Sequence, residues 1–240
     1  QSFNSKFEYR ARSMIVTSVY GWAKSIDNKS AAAWIAPNFS GWQGFMNNHD
    51  ISRDRGLSDF DVDHRSVTSF VVSLPVGRGQ RFLGRASGVA EALLGGWQIN
   101  GIVTFQRGLP YGIAALDRDG LLDTVLNRAN LVGDPNPEGF RPTVEEWFNT
   151  AAFEQPAPGH FGDTGRKVLR GPGVNNFDVG LFKNFRLAET ATLQFRLESF
   201  NMMNHARFFF PNTNVSSDAF GALGIAGAGR INQLGLKLLW

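Results

Sequence analysis

Along much of the chain, apolar and polar residues alternate one for one. This is the signature of a strand with two chemically different faces. Phe3, Ser5, Phe7 and Tyr9 alternate with Asn4, Lys6, Glu8 and Arg10, and after a short turn at Arg12 and Ser13 the residues Met14, Val16, Tyr20 and Trp22 share a face. The same pattern returns from about Arg65 to Leu74, with Thr68, Phe70, Val72 and Leu74 on one side. It returns again with Trp97, Ile99, Val103 and Phe105 against Gln98, Asn100, Thr104 and Gln106. A fifth strand is expected over about Asn176 to Leu187. A sixth sets Leu193, Phe195 and Leu197 against Gln194, Arg196 and Glu198, and a seventh sets Leu234, Leu236, Leu238 and Trp240 against Gln233, Gly235 and Lys237.

Each segment is about the 9–11 residues that a tilted strand needs to cross the hydrocarbon layer of a membrane. The polar face carries long charged groups such as Lys6, Arg196 and Glu198, which suit a wet lumen. The apolar face places Trp and Tyr near strand ends, as interfacial girdles do. The expected fold is all-β: an antiparallel transmembrane β-barrel segment of about seven strands, with Phe7, Trp97, Phe105, Phe195, Leu236 and Leu238 toward lipid. Lys6, Gln98, Gln194, Arg196 and Lys237 are expected toward the lumen, and little helix is expected outside the long loops. A soluble β-rich binding module would also alternate, and it would stay in solution without detergent.

The links between strands alternate in length. Short or medium links at Arg12–Ser13, Pro75–Gly95 and Ala188–Thr190 are separated by long loops at about residues 26–64, 109–173 and 202–229. Outer-membrane barrels have short periplasmic turns and long extracellular loops. On that rule Trp240 lies on the periplasmic side, and counting back seven strands puts Phe3 on the extracellular side. Single-chain barrels close with an even number of strands, so the 240 residues are expected to be the C-terminal part of a larger barrel.

Composition agrees with this picture and removes others. Hydrophobic residues make up 42%, charged residues only 19%, and there are 21 Phe and 27 Gly. The mean hydropathy of −0.18 is compatible with a barrel, which needs apolar side chains only at alternate positions. No apolar run approaches the length of a transmembrane helix. A formal charge of +3, with basic residues scattered, gives no nucleic-acid groove. The absence of cysteine removes disulfides, thiolate catalysis and Cys-based zinc sites.

The chain ends in Gln233-Leu-Gly-Leu-Lys-Leu-Leu-Trp240, with a polar residue, Gly235, apolar Leu238 and a terminal aromatic. A last strand of this form is an edge until the barrel closes, and an edge is a template for capture by another chain. Gln233, Gly235, Leu238 and Trp240 are therefore the candidate signal for the barrel assembly machinery.

Several further segments resemble the Oar-like TonB-dependent receptors. They are Trp22-Ala-Lys-Ser-Ile-Asp27, Arg55-Gly-Leu-Ser-Asp-Phe-Asp-Val-Asp-His-Arg65, Leu74-Pro-Val-Gly-Arg-Gly79 and Gly96-Trp-Gln-Ile-Asn-Gly101. Downstream, Arg128-Ala-Asn-Leu-Val-Gly-Asp-Pro135, Trp147-Phe-Asn-Thr-Ala-Ala-Phe153, Leu169-Arg-Gly-Pro-Gly173, Phe182-Lys-Asn-Phe185 and Phe195-Arg-Leu-Glu-Ser-Phe-Asn201 continue it. Such proteins carry a carboxypeptidase-regulatory-like domain, a plug and a barrel, and the likeness covers only the end of the barrel. It implies ligand uptake across the bacterial outer membrane and contact with the TonB complex through parts that precede Gln1. It also implies a peptide, protein or glycan ligand rather than an iron chelate.

Other candidate chemistry is sparse. Asp59, Asp61 and Asp63 have the spacing of a calcium loop, but His64 stands where Gly is needed and Phe70 where Glu is needed, so a hydrogen-bonded loop base is the plainer reading. His49, His64, His160 and His205 lack metal-ligand spacing. A barrel hydrolase acting on lipid would use a pair such as Ser69 and His64, with no acid partner or oxyanion hole identified. No catalytic residue, cofactor or metal site is assigned. Lys183 falls on an otherwise apolar face, which implies either interfacial snorkelling or a bulge.

Overall fold

A computed structural model describes residues 1–30, 45–47, 49–117, 120, 126–188 and 190–240. Parts of the first two long loops and Glu189 in the last short turn lie outside the described residues. Seven long strands form one antiparallel sheet in chain order: β1 (Ser2–Ala11), β2 (Met14–Ala23), β3 (His64–Ser73), β4 (Trp97–Gln106), β5 (Val174–Arg186), β6 (Thr192–Phe200) and β7 (Ile231–Leu239). All seven expected strands are present, with boundaries within about two residues. The sheet is open: β1 and β7 are its edges and are not paired with each other.

The register settles which side chains share a face. Phe7 lies opposite Ser18, Ser18 opposite Thr68, and Thr68 opposite Val103, which in turn faces Phe177. Farther along, Leu181 pairs with Leu197 and Leu197 with Leu234, while Phe195 pairs with Leu236 and Leu193 with Leu238. Directly opposed residues point the same way, so these form one continuous apolar face. Lys6, Gln98, Gln194, Arg196 and Lys237 fall on the other, where Gln194 pairs with Lys237, Phe182 with both Gln98 and Arg196, and Arg196 with Gly235. A slip of one residue would exchange the two faces, and no such slip occurs.

Aromatic rings cluster where the apolar face ends. Tyr20 and His64 bond through Oη and Nδ1 at 2.8 Å, and Phe105 meets Phe177 edge-on at 5.6 Å. Near the opposite end, Lys183 is buried beside Trp97 and Phe185, with its ammonium 5.4 Å and 5.0 Å from the two ring centres and donating to the Gly95 carbonyl. The ladder runs unbroken through Lys183 on both sides, opposite Trp97 and opposite Phe195. Lys183 is thus not a bulge, and rather than snorkelling to water it buries its ammonium against the Gly95 carbonyl. In mid-sheet the Phe70 ring covers Gly101 directly opposite; a Cβ there would come within 2.8 Å of the ring.

The three shorter links gather at one end of the sheet. Ser73 bonds to Ser13 across two of them, and Asn184 to Gly96. The only α-helix among the described residues, α1 (Gly88–Leu94), lies in the link between β3 and β4. Seven residues of helix fit the expectation of little helix outside the long loops. The Leu-rich stretch Val89–Leu94 is too short to span a membrane but long enough for two helical turns on a link of medium length.

The three long loops gather at the opposite end and form a folded cap. Short two-stranded ribbons join Ile26–Asp27 to Gly56–Leu57, Pro110–Tyr111 to Leu169–Arg170, Ala114–Leu116 to Leu126–Arg128, and Asn130–Leu131 to Phe153–Glu154. The third loop is bound in through Ala114 N to Thr213 O, and through Trp147 N to Gly221 O, both at 2.9 Å. Gly221 adopts φ +85, and a Cβ there would strike Thr150, so only glycine fits.

Candidate functional site

The cap holds the molecule's buried core. Tyr111, Ile113, Ala115, Ala129, Phe148, Ala152, Phe153 and Leu169 are all buried and pack together, with Trp147, Phe210, Val215 and Phe220 against them. Phe148 sits at the centre, with Phe153 at 5.6 Å and Phe220 at 5.3 Å, both edge-on, the arrangement aromatic quadrupoles favour.

A second set of buried contacts is ionic and ties the first loop to the second. The Asp59-x-Asp61-x-Asp63 segment faces cations from Arg107, Lys167 and Arg170. Lys167 Nζ lies 3.0 Å from Asp59, Arg170 2.5 Å from Asp61, and Arg107 2.8 Å from Asp63. Arg128 pairs with buried Asp54. Arg166 makes the densest set of bonds: to the Asp27 carboxylate at 2.6 Å, to Ser30 Oγ at 2.7 Å, and to the carbonyls of Asp27 and Asp54. The carboxylates that resemble a calcium loop in sequence are therefore neutralised by side chains of the second loop. They form the hydrogen-bonded loop base, and among the described residues no cluster is arranged to hold a metal.

The electrostatics follow from burial against pairing. Burial works to raise the Asp27 carboxyl, but hydrogen bonds from Ser58, Ser30 and Arg166 and the Arg166 charge outweigh it and hold it below the usual carboxylate value. Lys167 and Arg128 are pulled below their ordinary values, in each case mainly by burial, with Asp59 and Asp54 opposing the shift. Tyr111 is pushed up by burial alone; among the described residues its hydroxyl has no hydrogen-bond partner.

A cleft of about 420 Å³ opens between these two clusters, with Arg107, Lys167 and Arg170 on one wall and Tyr111, Trp147 and Phe148 on another. A second, of about 370 Å³, lies beside Phe208, Phe209 and Phe210 at the junction of the second and third loops. On the polar sheet face, Asn100, Asp178 and Glu198 border a shallower niche of about 310 Å³. Aromatic walls with a few fixed polar groups are the usual make-up of a small-ligand cleft.

The other sequence candidates are dispersed. Ser69 and His64 are five residues apart on one strand, so they point to opposite faces and lie about 16 Å apart. His64 is engaged with Tyr20, and the pair cannot form a nucleophile and base. His205 packs edge-on against Phe177, and His160 Nδ1 bonds to the Pro158 carbonyl. At the chain end, Gln233 and Gly235 sit on the polar face, Leu238 on the apolar face, and Trp240 is 90% exposed beyond β7. The residues that sequence reading missed are the cap's cations. Their signal was the basic run Arg166-Lys167 followed by Arg170, opposite in charge to the acidic Asp59, Asp61 and Asp63.

Comparison with curated proteins and with solved structures finds no significant match. Among protein families, the one described as outer membrane beta barrel domain matches residues 1–233. That agrees with the seven-stranded antiparallel sheet, its apolar aromatic face and its two unlike ends. The chain belongs to the outer membrane beta barrel domain family, and its place is the bacterial outer membrane.

Proposed function

We propose that the chain is the wall and extracellular cap of an Oar-like TonB-dependent receptor that takes a peptide, protein or glycan ligand across the outer membrane. The observation that carries the reading is the coincidence of motif and cap. Arg55–Arg65 supplies the cap's carboxylates, Trp147–Phe153 its aromatic centre, and Leu169–Gly173 the ribbon and cation that close it. These are segments in which the resemblance to such receptors resides. A cap held rigid by its own core, with an aromatic and cationic cleft, suits capture of a ligand at the cell surface. The test is uptake of fluorescent peptides and oligosaccharides by cells that carry the full-length protein, with and without TonB. Accumulation that needs both TonB and Trp147 is expected. Equal uptake in cells lacking TonB would sink the energised-receptor reading.

The exposed β7 edge, ending in Trp240, is proposed as the signal read by the barrel assembly machinery. Replacing Leu238 and Trp240 by Asp should deplete folded protein from the outer membrane. The charge on the lipid face costs under about 2–4 kcal/mol near an interface, too little to unfold a barrel alone, so severe depletion would report lost recognition. Normal levels would remove the assignment.

A further inference from the structure

The link between β3 and β4 shows a chemistry that the other short turns lack. Outer-membrane barrels put their long loops outside and their short links in the periplasm, so this link, residues 74–96, stands at the periplasmic end. It displays Phe82, Leu83, Val89, Leu93 and Leu94 to solvent, with Val89 74% and Leu93 60% exposed. On α1, Val89 and Leu93 are one turn apart and share a side with Ala92, while Glu91 points the opposite way. The Glu91 carboxylate is turned under the link, where it accepts the Arg78 backbone N–H at 2.6 Å and crowds Gly77 and Gly95. The helix's one acidic group is thus withdrawn and its apolar side presented. Arg78, Arg81 and Arg85 are all exposed on the same link, with the Arg81 guanidinium 5.5 Å from the Phe82 ring. Leu83 holds φ +55, a backbone conformation that L side chains rarely adopt.

Two bonds fix where this surface hangs. The indole N–H of Trp97 donates to the Leu93 carbonyl at 2.9 Å, and the Lys183 ammonium donates to the Gly95 carbonyl. Both Trp97 and Lys183 belong to the apolar face of the sheet, at its periplasmic margin. The helix is therefore tethered to the lipid side of the wall, and its apolar side continues that face.

We propose that residues 74–96 form an interfacial anchor, in which Val89, Leu93 and Leu94 with Phe82 and Leu83 enter the periplasmic leaflet while Arg78, Arg81 and Arg85 engage anionic phospholipid headgroups. The occupant follows from two facts together: the surface is continuous with the lipid-facing wall, and its charged groups are all cationic once Glu91 is withdrawn. A short helix with an apolar side and basic flanks is the form that lies in an interface rather than across it. The proposal needs only the outer-membrane barrel and not the uptake reading.

The 240 residues hold no cysteine, and any cysteine elsewhere in the full-length protein would be replaced by serine so that the label is single. The full-length protein, carrying Leu93→Cys with an environment-sensitive fluorophore, would be folded into vesicles of phosphatidylethanolamine and phosphatidylglycerol. A blue-shifted emission, quenched by lipids that carry a nitroxide on the acyl chain, is expected. Water-like, unquenched emission overturns the anchor. Should the label at 93 hinder folding, judged by heat-modifiable mobility, Val89→Cys gives the same reading. Arg78→Gln, Arg81→Gln and Arg85→Gln together should reduce the quenching, as should replacement of the anionic lipid by phosphatidylcholine. No change in either would overturn the headgroup half. A label shielded only after periplasmic proteins are added, and not by vesicles, would make the surface a protein dock and defeat the lipid assignment.

Discussion

The sheet and the cap are made from the same chain but bury their apolar residues against different partners. In the sheet, Phe105 is 45% exposed although β4 is an interior strand, because the face it belongs to is completed by lipid and not by protein. In the cap, Phe148 and Tyr111 are 1% exposed, because the second and third loops supply each other with a core. Apolar surface in lipid gains little from a protein neighbour, so the strands are held by their ladders of backbone bonds, which lipid leaves no alternative. The cap stands in water and must obey the rules of a small soluble domain: aromatic packing, paired buried charges, and loops closed by ribbons.

The largest expected effect tests whether the two regions are energetically separate. Phe148→Ala removes the ring at the centre of the cap, and such truncations cost about 3–5 kcal/mol. The cap has few long-range ties to the barrel other than its own loop stems, so the loss should stay local. Extracellular protease should then cut the loops of intact cells, while the barrel keeps its heat-modifiable gel mobility. A barrel that unfolds along with the cap would show that the two share one cooperative unit.

Close in size is the loss of the ionic tie between the first and second loops. Arg166→Met removes the partner of Asp27 and the bonds to Ser30 and Asp54, and breaking one side of a buried pair costs about 3–5 kcal/mol. Hydrogen exchange should rise in residues 25–30 and 54–63 as well as around 166, while β5 to β7 stay protected. Opening limited to the second loop would mean that Lys167 and Arg170 suffice to hold the first.

The contrast also explains what could be read from the sequence. A strand between lipid and water must alternate, so Phe195 with Leu197 against Gln194 with Arg196 announces both strand and face without knowledge of any neighbour. Link lengths gave the two ends in the same way. Lys183 breaks the pattern, and its reading needed the positions of Trp97, Phe185 and the Gly95 carbonyl, which are 86, 2 and 88 residues away along the chain. The cap has no period. Asp59, Asp61 and Asp63 look like ligands for a metal until Lys167 and Arg170, about 108 residues later, are seen to face them. Helix α1 was missed because its seven residues are too few to show a 3.6-residue repeat above the surrounding apolar content.

A smaller effect is expected on the lipid side of the wall. Leu197 lies between Leu181 and Leu234, whereas its neighbour Arg196 points to the other face and stacks on Phe182 with its guanidinium 5.0 Å from the ring. Leu197→Arg should lower barrel stability in vesicles by about 2–4 kcal/mol, the cost of an arginine at the membrane midplane. The denaturant midpoint of the folded protein measures it. The cap's protease resistance, being set by its own core, should not change below that midpoint. An unchanged midpoint would mean that residue 197 faces water and that the two faces have been exchanged.

The smallest effect sharpens the comparison within the cap itself. Arg107 and Asp63 make an ion pair at 2.8 Å that looks as good as any other there, yet the arginine side chain is 57% exposed. Water and salt screen such a pair, and its two long side chains lose freedom in forming it, so exposed pairs are worth about 0–1 kcal/mol. Asp63 also keeps Arg170 at 3.6 Å when Arg107 is gone. Arg107→Ala should therefore leave protease cutting of the loops close to that of the parent, and any residual effect should vanish in high salt. Arg166→Met, by contrast, should open the cap at every salt concentration, because the Arg166 side chain is only 7% exposed and counterions screen it little. If the two substitutions prove equally damaging, burial does not set the strength of these pairs, and the cap is not the dry soluble-like domain that sets it apart from the sheet.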